Sequence, residues 1–267
     1  MKRIFILIIL ISLLFFSLFP YGVLFIASCS SIPVDKGLHS ISISELTIIN
    51  FQHVFTNEFN ILLCNTLRVS LTTTFIIIIF SILLSYSITR FNFKYKVYIE
   101  YILISCYLIP PILLIIPYSR LLLAFNLLNS LTGLVLTNTA FCFPVCAWFM
   151  IRYFESISTD LDKSGALDGA STFKILWNIL IPQAKTGIIA ISVLSFILSW
   201  NDISFSFFFS DNIEFKTFAD GLEQFRISDP TYTNMPSFAA SSFIVVTIAI
   251  LLFGLLEYSI DKKFNKI

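Results

Sequence analysis

The side chains best suited to chemistry in this sequence are the carboxylate of Asp202 and its neighbours Trp200 and Asn201, set in an apolar run from about residue 187 to 209. An ionised carboxylate at the bilayer centre costs about 2.5–3.5 kcal/mol on the insertion scale and less near the interface, so Asp202 needs a partner or a wet cavity. At about 1.5 Å per residue it stands roughly 22 Å from the start of its run. Two readings follow: Trp200, Asn201 and Asp202 border a solute path, or they form part of an interfacial belt, where Trp is common. Asn65, Thr137 and Asn138 are candidates for lining the same path, and hydrogen bonding between helices accounts for them equally well. Arg68 and Arg120 read as snorkelling cations rather than solute ligands.

Other chemistries find no residues to carry them. The five cysteines, Cys29, Cys64, Cys106, Cys142 and Cys146, sit in or beside apolar runs, and His39 and His53 are not near a pair of them. Neither a zinc site nor a disulfide framework is indicated. The eight glycines form no phosphate-cradling motif of the Walker or dinucleotide type, and no zinc-protease or serine-elbow motif occurs. The chain reads as a non-enzyme that binds no cofactor and no metal.

These residues are carried by apolar elements. With 57% hydrophobic and 12% charged residues, and 30 phenylalanines, the composition lies far from that of soluble domains, which carry about 25% charge. We expect an all-α membrane protein, a single transmembrane domain over residues 1–267 with six spans at about 4–27, 69–88, 99–119, 131–151, 187–209 and 238–260. The first run is too long for the apolar core of a cleaved signal peptide and reads as a retained span, with a lipoprotein-type box at Ile26-Ala27-Ser28-Cys29 as the alternative. Pro110, Pro111 and Pro117 should kink the third span. With the N-terminus inside, twelve of the 17 Lys and Arg fall on the cytoplasmic side and five outside, namely Lys36, Arg68, Arg120, Lys216 and Arg226. That asymmetry predicts cytoplasmic termini by the positive-inside rule.

Between the fourth and fifth spans lies the one long polar stretch set between apolar ones, about residues 159–182. Thr159 stands three residues before Asp162 as a capping box, predicting a short helix to about Leu167. Gly169 supplies a left-handed residue after Asp168, where a side chain with Cβ costs about 1–2 kcal/mol. Ser171 caps a second helix whose apolar positions Phe173, Leu176, Trp177 and Leu180 share one face, and Pro182 stops it. The prediction is a rigid helix-turn-helix facing the cytoplasm; a pair of surface helices lying on the membrane is the plainer alternative.

The string Gly165-Ala166-Leu167-Asp168-Gly169-Ala170-Ser171, followed after ten intervening residues by Pro182, resembles the ATPase-coupling loop of permease subunits of bacterial ABC importers. The likeness is to the carbohydrate branch that includes the maltose and glycerol-phosphate permeases. It extends to Asn65-Thr66, to Tyr86 through Phe91, to Leu127 through Gly133 and to Ser199-Trp200-Asn201-Asp202. Asp168, Gly169, Ala170, Ser171 and Pro182 match the family loop, whereas Lys163, Ser164 and Gly165 replace its Glu-Ala-Ala triad. The resemblance implies a permease moving a sugar or sugar-like solute across the cytoplasmic membrane, with a second permease chain, an ABC ATPase pair that holds ATP and Mg, and an extracytoplasmic solute-binding protein as partners. A permease for polyamines or another small polar solute, and a secondary transporter using Asp202, are the alternatives.

Overall fold

The computed structural model describes residues 2–30, 46–92, 94–221 and 235–264. The expectations resting on Lys36, His39 and Arg226 fall outside these residues. Among the described residues the chain is helical, and its contacts divide it into two units, Met1–Asn60 with Leu222–Leu252, and Ile61–Gly221 with Phe253–Ile267.

In the first unit α1 spans Lys2–Ser28, α2 Ile49–Val54 and the last helix, α12, begins at Met235 and runs to Phe264. Aromatic packing organises it. Phe243 stacks on Tyr21 with ring centroids 4.8 Å apart and meets Phe25 at 5.1 Å and Phe51 at 6.1 Å. The Tyr21 hydroxyl reaches Thr247 Oγ1 at 2.5 Å, and Asn50 Nδ2 donates to the carbonyls of Ser28 and Ser30. Such bonds tie helix ends together where backbone carbonyls lack helical partners. From Ile6 to Phe19 the apolar side chains of α1 stand exposed, as a lipid-facing helix requires.

The second unit holds α3 from Asn57 to Arg90, α4 Lys96–Tyr107, α5 Pro111–Ala124, α6 Leu131–Glu155, α7 Asp160–Leu167, α8 Thr172–Ile175, α9 Ile181–Gln183, α10 Lys185–Trp200 and α11 Ser204–Phe209. Residues of α3 before Ile61 belong to the first unit. The core joins α3, α6 and α10 through Ile77, Met150, Phe154, Ile188 and Ile191. A second cluster sets Val69, Leu134, Phe205 and Phe209 together, and a third packs Ile88 and Leu103 on Ala147 and Ile151.

Among the described residues four helices are long and apolar enough to cross a membrane, and six spans result if each of two bent pairs counts as one. The first bent pair is the span at 99–119 that its prolines were expected to kink. Helices α4 and α5 meet at 98°, with Pro110 capping α5 and Pro111 in its first turn, where a missing N–H leaves no intrahelical bond unmade. The expected fifth span at 187–209 is likewise not one helix. Helix α10 ends at Trp200 because Asp202 takes the Phe205 amide at 3.1 Å, and a side chain that competes for backbone donors starts a new helix rather than extending the old one. The second span is longer than expected, continuous through α3.

Candidate functional site

The loop between α6 and α10 forms a knuckle. Helix α7 begins as expected, but Thr159 makes no capping bond; Ser158 Oγ accepts from the Asp160 amide at 3.2 Å instead. The carboxylate of Asp162, freed from a capping role, meets Arg90 Nε of α3 at 2.5 Å, while Arg90 Nη2 donates to the Ile157 carbonyl at 3.1 Å. One guanidinium therefore pins both the entrance and the first turn of the knuckle to α3. Arg is suited to this because its planar fork holds two acceptors at fixed angles.

Gly169 has φ of 75°, and the turn is a complete Schellman closure, with the Gly169 amide donating to the Ala166 carbonyl and the Ala170 amide to the Gly165 carbonyl, each at 3.0 Å. Ser171 Oγ accepts from the Lys174 amide at 3.4 Å and opens α8. Of the altered triad, Gly165 is buried, and a Cβ there would lie 2.8 Å from Ile179 Cδ1, so the position demands a small residue. Ser164 Oγ donates to the Leu161 carbonyl, and Lys163 pairs with Asp160 at 3.0 Å, both largely exposed. Lys163 holds the Asp160 carboxyl below its ordinary value by its hydrogen bond and charge.

Pro182 does not stop the second helix. A π-helical turn at Leu176–Leu180 links α8 to α9, Pro182 sits in the first turn of α9, and the break comes at Ala184, where the chain bends by 77° into α10. Proline brings no N–H for the carbonyl four residues back, and a wider turn just before it accommodates that loss. The predicted apolar face also divides. Leu176 and Leu180 are buried in the core, whereas Phe173 and Trp177 are 70% and 58% exposed, stacked with centroids 6.1 Å apart, and Leu167 is 89% exposed.

At the other end of α10 the chain makes an elbow over residues 201–221. Both carboxylate oxygens of Asp202 are engaged: Oδ2 accepts from Asn138 Nδ2 and Oδ1 from the Phe205 amide, each at 3.1 Å. Thr217 Oγ1 donates to the Asp202 carbonyl at 3.4 Å. Asn65 is buried and gives Nδ2 to the carbonyls of Glu214 and Lys216 at 2.8 and 3.0 Å. So α3 and α6 each send an asparagine to the elbow, as neighbours must when polar groups are removed from water. Trp200 is buried against Phe196, 5.1 Å between centroids, and Asn201 is exposed with its amide on the Ile197 carbonyl. Thr137 Oγ1 donates to the Gly133 and Leu134 carbonyls of its own helix.

Several residues of this network were not singled out from sequence. Thr66 Oγ1 accepts from the Phe218 amide at 2.7 Å, Ser206 Oγ accepts from the Thr217 amide at 3.0 Å and donates to Asp220, and Lys216 Nζ lies 3.3 Å from Asp220 Oδ2. The opposite charges of Lys216 and Asp220 at helical spacing, beside a phenylalanine-rich run, are the one local signal that marks them. Arg90 and Asp162 carry no such signal, being far apart in sequence.

A buried polar elbow and an exposed aromatic knuckle, joined by one helix in a protein of apolar spans, can be set against known proteins. The family model described as "Binding-protein-dependent transport system inner membrane component" matches residues 77–266. The chain belongs to this family. It is an inner-membrane permease subunit of the ABC importer type. Among similar proteins are the sulfoquinovosyl glycerol transport system permease protein SmoH of Agrobacterium fabrum, 29% identical over 67% of this chain and 64% of that one, and the trehalose transport system permease protein SugB of Mycobacterium tuberculosis, 27% identical over 80% and 78%. The trehalose/maltose transport system permease protein MalG of Thermococcus litoralis is 24% identical over 85% and 82%. The alignment thus spans just under two thirds of the Agrobacterium relative. In fold the permease is similar to a bacterial ABC transporter involved in the import of alginate, with TM-score 0.76, 20% identity and coverage of 98% of this chain and 96% of the other.

Proposed function

We propose that this permease is one half of the translocation pathway for a sugar or sugar-like solute, driven by ATP hydrolysis in a pair of partner ATPase subunits that hold ATP and Mg. The reading includes a second permease chain and an extracytoplasmic solute-binding protein as partners, cytoplasmic termini, and a single permease domain. The solute class rests on the names of SmoH, SugB and MalG, which are sugar or sugar-conjugate transport proteins.

The observation that carries the coupling role is the stacked, exposed pair Phe173 and Trp177, with Leu167 also exposed, on a knuckle locked by Gly169 and braced by Arg90. Aromatic side chains standing free on a rigid support are what a protein partner binds at its hot spots. Closure of the ATPase pair pushes the knuckles, the spans rock between inward-open and outward-open states, and a cavity near the bilayer midplane changes sides. Gly165, Asp168, Gly169, Ala170, Ser171 and Pro182 give the knuckle its shape, and Lys163 and Ser164 lie on its exposed side. Asn65, Asn138, Trp200, Asn201 and Asp202 fix the wall of the pathway near its outer end. A secondary transporter would need an available carboxylate, and both oxygens of Asp202 are already engaged.

The test is the double variant Phe173→Ser with Trp177→Ser. It should insert and pair with the second permease normally, lose the tagged ATPase on purification, and abolish uptake. Normal ATPase retention and uptake would remove the coupling role. Cysteine labelling in a cysteine-free background should find Asn178→Cys protected in intact cells and Asp35→Cys labelled; labelling of both from outside would overturn the topology.

A further inference from the structure

Away from the knuckle and the elbow, α4 and α6 enclose a cavity of about 500 Å3 lined by Lys96, Val97, Glu100, Tyr101, Ile104, Trp148, Arg152 and Glu155. Its charges cluster at one end. Lys96 Nζ lies 2.7 Å from Glu155 Oε1, Arg152 Nη1 lies 2.8 Å from Glu155 Oε2, and Arg152 Nη2 also pairs with the buried Glu100. The guanidinium of Arg152 stands 5.6 Å from the Trp148 ring centroid. Two cations and two carboxylates leave the cluster neutral, yet Lys96 and Arg152 each keep N–H donors beyond those used, because an ammonium has three and a guanidinium five.

The rest of the wall is apolar. From Lys96 to Ile104 the cavity runs along α4 for about 12 Å at 1.5 Å per residue, past Val97 and Tyr101, which are both largely exposed on the outside of the unit. Arg152 lies in the last turn of α6 and Lys96 in the first of α4, so the charged end sits at the ends of two membrane helices. Trp148 and Tyr101 flank it, as aromatic rings do at headgroup level. A slot that is charged but neutral in sum at the interface, and apolar toward the bilayer interior, has the form of one lipid.

We infer that this cavity binds a zwitterionic glycerophospholipid with a primary ammonium, the phosphatidylethanolamine type. Its phosphate accepts from the spare donors of Arg152 and Lys96, bonds strengthened by charge on both sides. Its ammonium donates to Glu155, which a quaternary ammonium without N–H groups cannot do. Its upper acyl carbons lie along Val97, Tyr101 and Ile104. An anionic headgroup brings no ammonium to donate to Glu155 and adds a net negative charge to a neutral cluster, so the cluster disfavours it.

The test uses the purified whole transporter in mixed micelles of phosphatidylethanolamine, phosphatidylcholine and phosphatidylglycerol with matched chains, the retained lipids being counted by mass spectrometry. The wild type should retain phosphatidylethanolamine over each of the others by about two- to fivefold, the range that one exposed charge pair supplies. Lys96→Gln should reduce that excess. Glu155→Gln, which leaves the cluster positive, should shift the preference to phosphatidylglycerol, and Arg152→Lys, which keeps the charge, guards against loss of fold in Arg152→Gln. Soluble phosphoethanolamine should not compete, because it lacks the chains that fill the slot. Equal retention of the three lipids, a wild-type preference for phosphatidylglycerol, competition by phosphoethanolamine, or no shift in Glu155→Gln would overturn the assignment.

Discussion

At one end of α10 the chain turns through the knuckle, where Phe173, Trp177 and Leu167 face outward; at the other it turns through the elbow, where Asn65, Asn138 and Ser206 are buried and each is hydrogen-bonded. Both turns interrupt a helix, and they are fixed by different means. The knuckle takes its shape from local backbone chemistry, a left-handed glycine and two capping serines, with one ion pair to α3. The elbow takes its shape from side chains on distant helices that reach its backbone. The first design leaves apolar surface available to another protein, while the second closes on itself. A turn built locally keeps its form while it is pushed, and a turn bonded to its surroundings moves only with them.

The comparison is broken most strongly at Gly169. A β-branched residue costs more there than the roughly 1–2 kcal/mol of a typical side chain in the left-handed region. Gly169→Val should abolish uptake and weaken ATPase retention while leaving membrane insertion and permease pairing intact, measured by uptake, co-purification and expression in parallel. Normal uptake at normal expression would reduce the knuckle to a surface helix pair.

The next effect in size concerns the brace. Arg90→Gln leaves the Asp162 carboxylate without its cation, at a cost of about 1–3 kcal/mol for a polar group stripped of its partner. Uptake should fall by about tenfold, the factor that 1.4 kcal/mol represents. Asp162→Asn in the same chain should recover part of the loss, and failure of that rescue in a double-mutant cycle would show that the two residues act separately.

Asp202 separates two roles for the elbow. Asp202→Asn keeps an acceptor oxygen for Phe205, whereas Asp202→Ala removes both acceptors. If the elbow is a clasp, Asp202→Ala lowers the melting temperature of the purified complex and Asp202→Asn does so by less, with the KM for solute unchanged in Asp202→Asn. A large rise in KM at unchanged melting would place the carboxylate on the solute instead.

The smallest effect is expected at Lys163. Its pair with Asp160 is exposed, where solvent and salt screen the attraction. Lys163→Ala should change uptake by less than about twofold and let the Asp160 pKa rise toward the ordinary aspartate value of about 3.9. Because the folded pKa is depressed, the pair's contribution is present above the unfolded pKa and is lost as pH falls through the folded one. Uptake of wild type and Lys163→Ala should therefore run parallel from about pH 5 to 8.

Much of this permease is legible in its sequence because membrane helices are specified locally. A backbone in hydrocarbon must satisfy its own hydrogen bonds, so apolar runs of sufficient length become helices whatever surrounds them, as α1, α3, α6 and α12 do. The left-handed Gly169 and the cap at Ser171 follow equally from the residues themselves. The tertiary structure decided what depends on competition between distant groups. Asp162 is drawn from a capping box to Arg90, Asp202 ends α10 and joins Asn138, and Phe173 and Trp177 part from Leu176 and Leu180. In each case a partner from another helix, or a face already filled by the core, outweighs a local preference of about 1 kcal/mol or less, and such partners are not written in the segment that answers to them.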